Sequence, residues 1–265
     1  MSIRPFDRDA RKHEFHSAAP FPHVVIDDFL DPDFAREVVA AYPTFEQARE
    51  QGFEFDFVRE RRKIQISDRA RFPEPVARLN DALASPEFIE DLVYITGIEN
   101  LESDPSLGGG GIHVTGPGGR LDVHVDFNYN EERDVYRRLN LLVYLNPRWE
   151  ESWGGQVDLW DRDVRECHQS VLPVLNRCVL FQTSEISYHG VRPVSADAPA
   201  PRQSFATYYY TKDPAAGWDA EPHSTIFRTR PNERLRRHLI IPAERLYLQG
   251  RRFVRALANS LRGSG

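Results

Sequence analysis

Apolar and polar residues alternate along Leu121-Asp-Val-His-Val-Asp-Phe127, with Leu121, Val123, Val125 and Phe127 on one face and Asp122, His124 and Asp126 on the other. A period of two marks a β-strand whose two faces meet different surroundings. Similar short runs, separated by turn residues at intervals of roughly 8–15 residues, predict strands over 112–115, 120–127, 138–146, 156–160, 169–173, 177–181, 187–191 and 202–211. Eight strands suffice for a jelly roll, which wraps two sheets around a mouth where a ligand can sit. Gly116-Pro-Gly-Gly119 reads as a turn, which would make 112–127 a hairpin with His124 near its far end.

Before residue 105 the period lengthens. Residues 20–30 read as a strand around Val24, Val25 and Ile26, and Asp31-Pro32 then opens a helix: aspartate accepts from the first free amides and proline is preset for the first turn. Phe34, Val38, Val39 and Tyr42 share one face of that helix, and Pro43 stops it. Further helices are predicted over 73–84 and, behind the Ser85-Pro86 start, up to Gly97. Between Thr44 and Phe72 aromatics (Phe53, Phe55, Phe57) give way to charges (Arg59, Arg61, Arg62, Lys63), the pattern of a substrate-facing flap or of a hairpin with a solvated face. Past Lys212 the chain is irregular until a helical pattern returns over 232–239 and 243–261, with Leu246, Phe253, Val254, Leu257 and Leu261 as its stripe.

The expected fold class is mainly β with flanking α: a jelly-roll core at about 105–212 with helical flanks at 20–100 and 232–262. No repeat, low-complexity tract or composition break marks a linker, so a single domain over 1–265 is expected.

Composition narrows the function classes. The 265 residues are 40% hydrophobic and 28% charged, with a net charge of -6 and a pI near 5.9, which gives no global reason to expect a nucleic acid partner. No apolar run approaches the ~18 residues of a membrane span, and the first residues lack the apolar stretch of a secretion signal. Two cysteines, Cys167 and Cys178, are too few for a disulfide framework, so a cytoplasmic setting is expected. The arginines at 251, 252, 255 and 262 read as a solvated face, and the last helix is a candidate contact surface for a homo-oligomer.

Chemistry concentrates where the alternation is strongest. His124 and Asp126 point to one side of their strand and make two thirds of the 2-His-1-carboxylate triad of non-heme Fe(II) oxygenases. His189, in Ile186-Ser-Tyr-His-Gly-Val-Arg-Pro-Val194, is the candidate third ligand. The plainer alternatives are a core histidine at 189 and an ion pair of Asp126 with Arg120 or Arg138. A metal held on one triangular face keeps adjacent positions open for a chelating 2-oxoacid and dioxygen. The co-substrate's far carboxylate then needs an arginine fork, for which Arg202 at the start of the last strand is placed, with Ser204 on the same face as a hydroxyl donor.

His124-Val-Asp126, Arg138-Leu-Asn-Leu-Leu-Val-Tyr-Leu-Asn146, Trp149 with Gly154-Gly155, His189 and Arg202-Gln-Ser204 occur in an order that resembles the Fe(II)/2-oxoglutarate-dependent dioxygenases of the prolyl-4-hydroxylase-like group. The resemblance covers about 105–212 in motif and order, and Phe21 to Tyr42 also resembles the lead-in of bacterial members. It implies a double-stranded β-helix core, Fe(II) and 2-oxoglutarate, and hydroxylation of an unactivated C–H with release of succinate, ascorbate being a supporting reductant. By the same resemblance Tyr144 reaches the 2-oxoglutarate carboxylate, and Asn140, on the same face, is a further candidate contact. The substrate class stays open between a small molecule and a peptide, prolyl residues included. Two rival readings are a jelly-roll metal-binding module without turnover and a cupin-type metalloenzyme that needs no 2-oxoacid. Arg202 and Ser204 weigh against both, because neither has use for a carboxylate anchor.

Overall fold

The computed structural model describes residues 2–215, 221–233 and 235–242. The chain begins with helix α1 (Arg8–Ser17), capped by Asp7, and strand β1 (His23–Ile26). Helix α2 (Pro32–Ala41) starts as its sequence dictates: the Asp31 carboxylate accepts from the amides of Asp33 and Phe34, and Pro32 leads. The segment with weak periodicity resolves into α3 (Phe45–Gln51) and the hairpin β2 (Phe53–Asp56) and β3 (Glu60–Ile66). Thr44 and Gln47 form a reciprocal capping box that starts α3. Helices α4 (Glu74–Leu83) and α5 (Pro86–Thr96) follow, the second capped by Ser85 and ended by Gly97 at φ +69°.

The remaining strands are β4 (Glu102–Ser103), β5 (Gly111–Val125), β6 (Tyr129–Asn130), β7 (Val135–Tyr144), β8 (Val157–Trp160), β9 (Cys167–Val171), β10 (Cys178–Gln182), β11 (His189–Val191), β12 (Arg202–Thr211) and β13 (Ile226–Phe227). Among the described residues they join one curled antiparallel sheet in the order β1-β10-β7-β12-β5-β11-β8-β9. This is the arrangement of a double-stranded β-helix.

The hairpin expected over 112–127 is not formed. β5 is one long strand that changes partners: Gly111 to Thr115 pair with β12, whereas Leu121 and His124 pair with β11. β3 runs beside both halves, pairing Lys63 with Thr115 and Arg61 with Arg120. The glycine-rich 116–119 stretch is therefore a bulge that carries the strand from pairing with β12 to pairing with β11, its Gly118 and Gly119 tied to Val194 by backbone hydrogen bonds.

Alternation along β7 and β12 explains where the core lies. Leu139, Leu141, Val143, Phe205 and Tyr209 pack outward against Val38, Val76, Leu79, Leu92 and Ile95 of the helices. Tyr144 turns inward with Val157, Leu159, Val179 and Phe181. The helices thus seal one outer face of the sheet, and the opposite faces of the same strands are free to line a cavity.

After β13 a short π-helical turn (Arg236–Ile240) stands where a helix over 232–239 is predicted. The predicted helix 243–261, with its apolar stripe and its arginines, lies outside the described residues. Both Cys167 and Cys178 are free thiols. No described helix is long and apolar enough to cross a membrane.

Candidate metal and co-substrate site

His124, Asp126 and His189 converge. One ligand atom from each lies within 4.8 Å of the other two, and among the described residues this is the one grouping of metal-ligating side chains that does so. Pairing of β11 with β5 sets His189 directly opposite His124. The ring centroids are 4.3 Å apart. Asp126 lies between them, with Oδ1 3.4 Å from His124 Nε2 and Oδ2 3.4 Å from His189 Nε2.

The backbone sets the tautomers. Nδ1 of His124 meets the carbonyl of Asp122 at 2.9 Å, and Nδ1 of His189 meets that of Ser187 at 3.0 Å. A carbonyl can only accept, so each Nδ1 carries the proton and each Nε2 offers its lone pair to the shared centre. Burial lowers the His189 pKa to about 4, which keeps that ring neutral at physiological pH. Burial alone would raise Asp126, but the charge of Arg137, with the two imidazoles beside the carboxyl, outweighs it and holds Asp126 well below its ordinary range. Two imidazole Nε2 atoms and one carboxylate form a donor set that fits Fe(II).

Asn140 and Arg137 orient the carboxylate. Asn140 Nδ2 donates to Asp126 Oδ2 at 2.6 Å, Arg137 Nη2 lies 3.2 Å from the same oxygen, and Arg137 Nε donates to Asn140 Oδ1 at 2.8 Å. The buried Arg137 guanidinium stacks 3.4 Å from the ring centre of Tyr208 and 4.7 Å from that of Phe127. The Asn140 amide is thus committed to the Asp126 carboxylate. Neither Arg120 nor Arg138 pairs with Asp126: Arg120 is bound to Asp122 and Glu233, and Arg138 donates to Thr211.

Arg202 lies on the same cavity wall, 3% exposed. Its Nε donates to the Gly155 carbonyl at 2.7 Å and its Nη1 to Ser204 Oγ at 3.1 Å. Arg202 Nη2 and the hydroxyl of Tyr144 are both buried without a hydrogen-bond partner. Two neighbouring buried polar groups left open, one of them on the cavity wall, fit a carboxylate that accepts from both. The adjacent glycines make this possible. Gly154 at φ +70° passes so close to Pro193 that a Cβ would stand 2.1 Å from its carbonyl oxygen, and at Gly155, φ +75°, a Cβ would crowd Arg202 and Trp149.

All seven site residues singled out in the sequence except Tyr144 line one cavity of about 220 Å³. Tyr144 stands behind that wall, its ring 4.9 Å from the Arg202 guanidinium carbon. His113 and Thr115 line the cavity too, as do Phe55, Glu60, Lys63 and Gln65 of the β2–β3 hairpin, so one side of that segment faces the site. Phe227 closes it from the C-terminal side, 5.4 Å from the His124 ring. Arg137, Glu60 and Phe227 were not foreseen, whereas Lys63 falls in the segment read as a possible substrate-facing flap.

The sequence model of the 2OG-Fe(II) oxygenase superfamily matches residues 110–210. Together with the curled sheet and the His-Asp-His cluster, this makes residues 110–210 similar to the 2OG-Fe(II) oxygenase superfamily, a family that uses Fe(II) and 2-oxoglutarate. Among curated proteins, the prolyl 3,4-dihydroxylase OGFOD1 of Ostreococcus tauri is 26% identical over 213 residues, covering 73% of this chain and 38% of the relative. The prolyl 3-hydroxylase OGFOD1 of Mus musculus is 32% identical over 78 residues, covering 28% and 14%. The chain therefore spans well under half the length of these relatives. A solved prolyl-4-hydroxylase from Pseudomonas putida has the same fold, with TM-score 0.53 and 18% identity over 76% of this chain and 98% of that one. So has a prolyl hydroxylase from Trichoplax adhaerens solved with a hypoxia inducible factor peptide, with TM-score 0.53 and 19% identity over 77% and 90%.

Proposed function

We propose that this chain is an oxidoreductase: an Fe(II)- and 2-oxoglutarate-dependent dioxygenase that hydroxylates an unactivated C–H of a peptidyl or small-molecule substrate, with decarboxylation of 2-oxoglutarate to succinate. The supporting observation is the pairing of a His-Asp-His cluster with two neighbouring buried polar groups, Tyr144 Oη and Arg202 Nη2, that have no hydrogen-bond partner. His124, Asp126 and His189 are the metal ligands in this reading, and Arg202, Ser204 and Tyr144 bind the far carboxylate of the co-substrate. Asn140 is a positioning residue that holds Asp126. When bound, the metal supplies open positions for the 2-oxoacid and dioxygen, and the 2-oxoacid supplies the electrons.

The protein's own part is orientation. Backbone carbonyls hold both imidazoles as Nε2 donors, Asn140 and Arg137 fix the carboxylate, and Phe227 with the β2–β3 hairpin screens the cavity from bulk water. Relatives named as prolyl hydroxylases, one of them solved with a peptide, support a prolyl peptide as the first substrate to test. A chain acting as a single domain, in the cytoplasm and as a homo-oligomer, belongs to the same proposal.

The test is release of succinate from 2-oxoglutarate by purified protein with Fe(II) and ascorbate, against a panel of prolyl peptides and small amino compounds. Turnover that needs iron and 2-oxoglutarate and is raised by one class of substrate is expected. Iron bound with no succinate above background under any condition would instead mark a metal-binding module.

A further inference from the structure

The β8 strand has two faces, and each fronts a different cavity. Val157 lines the catalytic one. Asp158 and Trp160 line another, of about 580 Å³, completed by Arg165, Arg192 and Arg230. We propose that Arg230 and Trp160 hold a compact oxyanion, a phosphate or carboxylate group, in this second cavity.

Arg230 is 7% exposed and Trp160 8%. The Arg230 Nη2 group donates to the carbonyl of Val191 at 3.0 Å, but Nε, Nη1 and the indole Nε1 of Trp160 are buried with no acceptor. A guanidinium stays protonated in proteins, so a buried one needs a counter-charge. Among the described residues no carboxylate forms an ion pair with Arg230. The acidic groups of the lining have other partners: Asp158 accepts from Arg192 and Ser170, Glu233 is held by Arg120 and Arg236, and Glu166 stands 4.0 Å from His168. What Arg230 Nε and Nη1 and Trp160 Nε1 lack is an acceptor within hydrogen-bond reach, and an oxyanion supplies one.

Val191 and Leu121, whose carbonyls Arg230 bridges, also line the catalytic cavity. The anion would thus sit one strand away from the metal ligands, on a site independent of Arg202.

Calorimetric titration of the full chain with inorganic phosphate and, separately, with acetate tests this. Binding of at least one anion is expected in the wild type and, undiminished, in Arg202→Ala, where the carboxylate anchor of the catalytic cavity is gone. Trp160→Phe keeps an aromatic ring but removes the indole N–H with the pyrrole half of the ring system, and should weaken binding roughly tenfold; Arg230→Gln should abolish it. If Arg230→Gln fails to fold, Trp160→Phe alone decides. A tighter response to phosphate names a phosphoryl group, and a tighter response to acetate a carboxylate. Absence of binding by either anion, loss of binding in Arg202→Ala, or unchanged affinity in Trp160→Phe would each overturn the assignment.

Discussion

The Arg202 guanidinium carbon lies 4.9 Å from the centre of the Tyr144 ring, and each of the two residues keeps one buried polar atom without a partner. An unsatisfied buried hydroxyl costs about 1–3 kcal/mol. Tyr144→Phe should therefore stabilise the protein alone by about 1 kcal/mol while raising the 2-oxoglutarate needed for half-maximal succinate release several-fold. Thermal unfolding and a 2-oxoglutarate titration read the two effects on the same sample. A destabilised variant with an unaltered 2-oxoglutarate requirement would show that the hydroxyl serves packing alone.

Arg202 itself should behave differently. Charge-assisted hydrogen bonds are worth about 1.5–3 kcal/mol, so Arg202→Ala is expected to raise the 2-oxoglutarate requirement by ten- to a hundredfold. Iron content should stay as in the wild type, because the guanidinium touches no ligand: its partners are the Gly155 carbonyl and Ser204. Iron measured after gel filtration separates the anchor role from a general loss of the site.

For Asn140 the expectation is the reverse. Its amide is 2.6 Å from Asp126 Oδ2. Asn140→Ala leaves the carboxylate with Arg137 alone, and groups that orient a metal ligand typically matter ten- to a hundredfold in metal affinity. Iron should exchange faster against a chelator, with the 2-oxoglutarate requirement changed little once iron is saturating. An unchanged iron affinity would return Asn140 to the co-substrate side.

Why some of this was legible in the sequence and some was not comes down to bulges. The strand over 202–211, the Asp31-Pro32 helix start and the clustering of His124, Asp126 and His189 are carried by local patterns that the fold leaves undisturbed. Arg137 was invisible because a period of two puts Arg138, not Arg137, on the face of Asn140. Opposite Tyr209 and Tyr210 the β7 register slips by one residue at Arg138, and Arg137 moves to the cavity side. A second slip at Arg62, φ +48°, interrupts the alternation between Glu60 and Lys63, both of which line the cavity. The change of partners along β5 was hidden for a related reason: Gly116-Pro-Gly-Gly119 has the composition of a tight turn, and only distant partners, β3 and β11, decide that the chain continues straight on. Helix α1 was likewise missed, since its one buried residue is Phe15 and it shows little apolar stripe.

The last expectation concerns acid. Glu233 bonds Arg120 and Arg236, both of which bond Asp122, and Arg236 Nη2 also donates to the Val58 carbonyl in the β2–β3 turn, so this cluster fastens the hairpin and the C-terminal segment to β5. Burial pushes the Glu233 carboxyl up, but the hydrogen bond and charge of Arg120, with Arg236 and Arg230, outweigh it and leave the carboxyl below its ordinary value of 4.5. A carboxyl depressed in the folded state stabilises the fold above its unfolded value, and that stabilisation disappears as pH falls through the folded one. Glu233→Gln should thus be less stable than the wild type by about 1 kcal/mol near neutral pH. As pH drops below the ordinary carboxyl range the gap between the two proteins should narrow and then close. Urea midpoints for both, taken from pH 7 down to the acid limit of folding, give the comparison directly. A gap that persists unchanged in acid would mean that the shape of the side chain, and not its charge, holds the hairpin down.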